Sequence, residues 1–91
     1  MDEILETDYQ WIFVETYYES GSGLHGDVHV RPLPGQEPFK NWYRVECSKK
    51  MRDPVINPVP TKFKIWAKVT NRRGTPLIYT NPSWPYTVIK D

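Results

Sequence analysis

From Thr61 to Thr70 the chain alternates without a break. Phe63, Ile65, Ala67 and Val69 are apolar, and Lys62, Lys64, Trp66 and Lys68 fall between them. Side chains of a β-strand point to opposite faces in turn, so this run predicts a strand with one buried and one outward face. A helix would mix lysines and apolar residues on the same side. The nine prolines push the same way. Proline lacks a backbone donor and blocks long helices, whereas aromatic residues, 14% of this chain, suit a pleated surface.

Other segments read as shorter strands. Tyr9 to Tyr18 places Trp11, Phe13, Glu15 and Tyr17 on one face and Ile12, Val14, Thr16 and Tyr18 on the other. Apolar residues on both faces predict a strand that is central or covered on both sides. Glu19 to Gly23 is a hairpin loop. A second strand, Leu24 to Leu33, ends where Pro32, Pro34 and Gly35 break the ladder. A third spans Asn41 to Cys47, with Tyr43, Val45 and Cys47 inward and Trp42, Arg44 and Glu46 outward. Ser48 is positioned to cap a helical turn over residues 49–52, which Asp53-Pro54 stops. Asn71 to Pro76 is a turn, Leu77 to Thr80 a short strand, Asn81 to Pro85 a second turn, and Tyr86 to Ile89 the last strand. The expected fold is mainly β: a small five- or six-stranded antiparallel barrel or curled sheet with one short helical turn.

The chain's 91 residues fit one domain, with residues 1–8 read as a frayed acidic leader. So short a domain buries only roughly 60% of the surface its unfolded chain exposes. Cys47 is the sole cysteine, so no disulfide compensates. A lone thiol points to a reducing compartment and predicts a cytoplasmic protein. The acidic start, Met1 to Glu6, is not read as a signal peptide, and no run approaches the ~20 apolar residues of a membrane span. Charge is divided unevenly. Residues 1–39 hold one base, Arg31, against eight acids, and residues 40–91 hold eleven bases against three acids. Such halves either neutralise each other or present opposed patches that steer a partner.

Several segments resemble small uncharacterised bacterial proteins encoded on mobile elements, including integron gene cassettes. They are Trp11-Ile12-Phe13-Val14, His29 to Gly35, Val45 to Arg52, Thr61-Lys62-Phe63-Lys64 and Trp84-Pro85-Tyr86. Together they touch about a third of the chain. The resemblance implies a bacterial, horizontally mobile origin. It carries no activity and no functional residue with it.

Three constellations bear on function. His25, Asp27 and His29 share a strand face and are metal-ligand types, but the outer two stand about 13 Å apart at ~3.3 Å per residue, too far to share an ion without a bulge. A polar outer face is the plainer reading. Cys47-Ser48 resembles a nucleophile at a helix start, yet Cys47 falls on the inward face, where cysteine behaves as a small hydrophobe. No phosphate loop or nucleophile elbow is present. The third is the row Lys62, Lys64, Trp66 and Lys68, with Trp42 and Arg44 on another outer face. Rings interleaved with cations suit single-stranded nucleic acid. The same layout serves sheet-edge protection, a protein interface, or a small ligand stacked on Trp66 or Trp42. The expectation is a non-catalytic interaction module without a cofactor. Its leading partner is a second copy of itself, in a homodimer; another protein is a further candidate, and single-stranded nucleic acid is the alternative.

Overall fold

The alternating run becomes the longest strand, β4 (Lys62–Arg72). Phe63, Ile65, Ala67 and Val69 are at most 1% exposed, and they form the spine of the core. The computed structural model describes residues 6–19 and 28–90. Within them β4 is joined by β1 (Gln10–Tyr18), β2 (Val28–Pro32), β3 (Arg44–Glu46), β5 (Thr75–Tyr79) and β6 (Thr87–Ile89). The expected hairpin loop after Tyr18 lies largely outside the described residues, as does the first part of the expected second strand.

β4 is long enough to serve several partners. One of its edges pairs antiparallel with β1, from Gln10↔Ala67 to Glu15↔Lys62. The other edge takes β6 opposite Lys62–Lys64 and then β5 opposite Lys68–Arg72. Between these two partners Thr80 fills the gap, its Oγ1 donating to the Trp66 carbonyl at 2.8 Å. β2 flanks β1 and β3 flanks β5, giving the order β2-β1-β4-β5-β3. The sheet curls into a nearly closed barrel. Its seam lies between β2 and β3, where no ladder forms; Asn41 Nδ2 donates to the Pro32 carbonyl across it at 2.9 Å. Pro32 ends an edge strand, where its missing donor costs nothing.

The expectation of an all-antiparallel sheet is corrected by one pair. β3 runs parallel to β5. The reason is the tight hairpin after β4. β4 runs opposite to β3, and a two-residue turn reverses it into β5, which must then run with β3. Arg73 (φ 53°) and Gly74 (φ 83°) form that turn, and Gly74 N donates to Asn71 Oδ1 at 2.7 Å. Two consecutive positive φ values are the geometry that lets twisted strands continue to the turn itself. The strands therefore extend into the segment expected as a six-residue turn.

The helical turn is also corrected. Arg52 N bonds Lys49 O and Asp53 N bonds Lys50 O, both i to i+3, and the described chain holds no helix. Ser48 Oγ is buried without a hydrogen-bond partner, so it caps nothing. The turn's role is to drop Met51 into the core, at 2% exposure. Phe39 enters the core from another irregular stretch. Order also begins inside the span read as a leader. Thr7 N bonds Val69 O, and Val69 N bonds Thr7 Oγ1, which ties residue 7 to β4.

A candidate aromatic and cationic surface

The cross-strand register of β1 and β4 assembles the outer face. Trp11 stands opposite Trp66, Phe13 opposite Lys64, and Glu15 opposite Lys62. Every second residue of both strands points outward, so rings and ammonium groups interleave on one surface. Trp11 is 56% exposed and Phe13 41%. Trp66 is half-buried because its neighbours pack on it: Trp11 lies at 5.1 Å between ring centroids, and Tyr9 stacks at 6.2 Å and 13°. Trp84 meets Tyr9 edge-on at 5.1 Å. Trp11, Trp66, Trp84 and Pro85 line an open cleft of about 340 Å³.

The lysines are drawn against these rings. Lys64 Nζ sits 5.4 Å from the Trp11 ring centre, and Lys68 Nζ 5.1 Å from that of Tyr9. Each contact is attractive through the ring quadrupole and holds the long side chain along the face. Lys62 is exposed, and Lys64 and Lys68 are half-buried. The acid in this neighbourhood, Glu15, accepts from Arg31 Nε at 2.9 Å, and Arg31 in turn lies over Tyr17. The backbone beneath is held from the side. Past Pro32 the strand ladder ends, and the Gln36 side-chain amide takes its place, accepting from Phe13 N and donating to Phe13 O, both at 2.7 Å.

Trp42 and Arg44, grouped with this row in the sequence, lie elsewhere. They border a groove at the β3–β5 end of the barrel with Tyr43, Arg72, Arg73 and Leu77, about 660 Å³ in volume. A neighbouring hollow of about 310 Å³ shares Arg44, Arg72 and Leu77 and adds Arg52, Glu46 and Cys47. Trp42 is 75% exposed, with Tyr43 against its edge. Arg72 pairs with Glu46 at 2.8 Å. Among the described residues no carboxylate lies within ion-pair distance of Arg44, Arg52 or Arg73.

Cys47 packs half-buried against the core. Burial pushes its thiol up to about 11, with Arg52 pulling weakly the other way. A thiol so protonated is a poor nucleophile near neutral pH. His25 and Asp27 lie outside the described residues. His29 Nε2 is 2.9 Å from Glu19 Oε2 but without hydrogen-bond alignment. Among the described residues no group of three His, Cys, Asp or Glu is placed to hold a metal, and no helix is long and apolar enough to cross a membrane.

Sequence reasoning missed Tyr9, Trp11, Phe13 and Trp84 as members of the surface. The spacing of Trp11 and Phe13 was the available signal. Apolar residues on both faces of a strand suggest cover on both sides, but a barrel this small has no second layer to cover its outside. Arg52, Arg72 and Arg73 were also missed, since two other segments, the turn after β3 and the β4–β5 hairpin, bring them to Arg44. Compared with known protein families, with curated proteins and with solved structures, the chain matches none.

Proposed function

We propose that this protein is a non-catalytic binding module, that its working surface is the outer face of β1 and β4, and that its partner is single-stranded nucleic acid. One observation carries the reading: exposed Trp11 and Phe13 share one outward face with Lys62, Lys64 and Lys68, with Phe13 opposite Lys64 and Trp11 opposite Trp66. Bases have flat faces that stack on rings of any sequence context, and phosphates need cations beside them. The face offers both within one or two strand spacings. Rings and ammonium groups hold a ligand; they do not by themselves turn it over.

Self-association as a homodimer is the second reading. It is supported by the two sheet edges at the seam, β2 and β3, and by the exposure of Trp42. A two-fold contact through the β1–β4 face is the weaker version, because it would set the lysines of two copies against each other. The half-buried lone thiol suits a reducing, cytoplasmic setting. The resemblance to proteins of mobile elements and integron cassettes belongs to the same proposal.

Titration of a labelled single-stranded oligomer at rising salt tests the first reading. Three lysines on phosphates predict a slope of log affinity against log salt of about −2, at ~0.7 per neutralised phosphate. Trp11→Ala is expected to weaken binding by about 1–3 kcal/mol. A flat titration at low salt removes the nucleic-acid reading. Sedimentation tests the second: a mass of 10.8 kDa persisting at high micromolar concentration ends it.

A further inference from the structure

We propose that the groove bordered by Trp42, Arg44 and Arg73, together with the adjoining hollow that holds Arg52 (the arginine groove), is the continuation of the same nucleic-acid path, in which Arg44, Arg52 and Arg73 meet phosphates and Trp42 stacks a base. The proposal rests on the reading of the β1–β4 face given above. It starts from register. Lys68, which lies over Tyr9, stands opposite Tyr79 of β5, and Tyr79 stands opposite Glu46 of β3. One row later, Thr70 stands opposite Leu77, and Leu77 opposite Arg44. Residues paired across strands share a face, so the outer surface runs unbroken from the aromatic cluster over β4 and β5 to the groove. A ligand crossing from β1 to β3 makes three inter-strand steps, about 14 Å at ~4.8 Å each. Arg72 joins the two regions a second way, because it continues the outward row Lys62, Lys64, Trp66, Lys68, Thr70 along β4 itself.

The chemistry of the groove fits a polyanion with aromatic parts. Three guanidinium groups, Arg44, Arg72 and Arg73, border the groove, and the neighbouring hollow adds Arg52 and one carboxylate, Glu46, which is engaged by Arg72. Guanidinium is planar, permanently charged and geometrically matched to phosphate, and it stacks on rings. The Leu77 side chain and the Tyr43 ring give the groove an apolar lining beside the open Trp42 ring. On a chain whose net charge is only +1, this is a strongly biased patch. Glu46 is the discordant member, an acid set where phosphates would pass, and it provides a variant that works in the opposite direction.

The test uses two labelled single-stranded oligomers, one of about 4 nucleotides and one of about 12, spanning the usual site sizes of small barrels. The full chain is compared with the double variant Arg44→Gln/Arg73→Asn, in which asparagine tolerates the positive φ of the turn, and with Glu46→Gln. Expected for the double variant are a loss of about 10-fold in affinity for the long oligomer, a salt slope shallower by about 1.4, and no change for the short one. Glu46→Gln is expected to tighten the long oligomer several-fold. If the unaltered protein binds the long oligomer and neither variant moves its affinity or slope, the groove is no part of the path and the β1–β4 reading stands. If the unaltered protein binds neither oligomer, that reading falls and the inference falls with it. Equal competition by a poly-glutamate peptide of matched length would overturn the nucleic-acid assignment of the groove in favour of an acidic protein segment.

Discussion

The β1–β4 pair and the β3–β5 pair are built on different terms. β1 and β4 share six paired positions, alternate strictly, and bury Ile12, Val14, Phe63, Ile65 and Ala67 between the sheet and the rest of the core. β3 has three residues and pairs parallel with β5; only Val45 of its side chains is buried, and Tyr43 and Cys47 are partly open. In the first pair the strand pattern makes the structure. In the second, irregular segments must help, and Met51 and Phe39 supply burial that the strand cannot. The surfaces differ accordingly. The aromatic face follows from alternation along two strands, whereas the arginine groove is a meeting of β3, the turn after it and the β4–β5 hairpin.

This contrast can be broken by truncation. Phe63→Ala is expected to cost about 3–5 kcal/mol, as for a large side chain removed from a full core. Val45→Ala should cost only about 1.5 kcal/mol, at ~0.8 kcal/mol per buried carbon. Urea melts of the two variants check this. Equal losses would mean that the β3 end is packed as tightly as the β4 spine.

Alkaline titration sharpens the same contrast from the chemical side. The Cys47 thiol rises from 9.0 to about 11 on folding. Its folded form holds the proton more tightly, so stability is unaffected below about pH 9. It is lost between about pH 9 and 11, where only the unfolded chain releases the proton, by about 3 kcal/mol in all. Cys47→Ala should flatten that part of the pH dependence relative to the unaltered protein. Identical alkaline profiles for the two proteins would show that the thiol is solvated and the β3 end more open. Slow alkylation of Cys47 at neutral pH belongs to the same expectation.

The smallest effect concerns the turn that forces β5 to run with β3. Gly74 adopts φ 83°, with open space where a Cβ would stand. The cost of Gly74→Ala is therefore conformational, about 1 kcal/mol, and not steric. Thermal melting should register it as a modest drop. A neutral result would show that the hairpin relaxes to another turn without loss.

Much of the strand inventory was legible in the sequence. Lys62 to Thr70, Tyr9 to Tyr18 and the outward lysines are consequences of a period-two pattern, and that pattern is local. The parallel β3–β5 pair was not legible, because strand direction depends on how many times the chain reverses, and the hairpin at Arg73-Gly74 is tighter than its flanking residues suggest. Gln36 standing in for a strand partner of Phe13 was hidden for a similar reason: its contact spans 23 residues and has no periodic signature.

The sequence by itself determined that this chain is mostly strand, that Phe63, Ile65, Ala67 and Val69 point inward, and that Trp66 and three lysines point out. Those statements need only the geometry of a single strand. Tertiary structure alone decided which rings surround Trp66 and that Trp42 and Arg44 stand apart from it. It also decided that Arg52, Arg72 and Arg73 converge on Arg44. Neighbours on a curled sheet are set by strand order and register, which depend on closing long loops against the entropy of the chain, and a local pattern does not encode them.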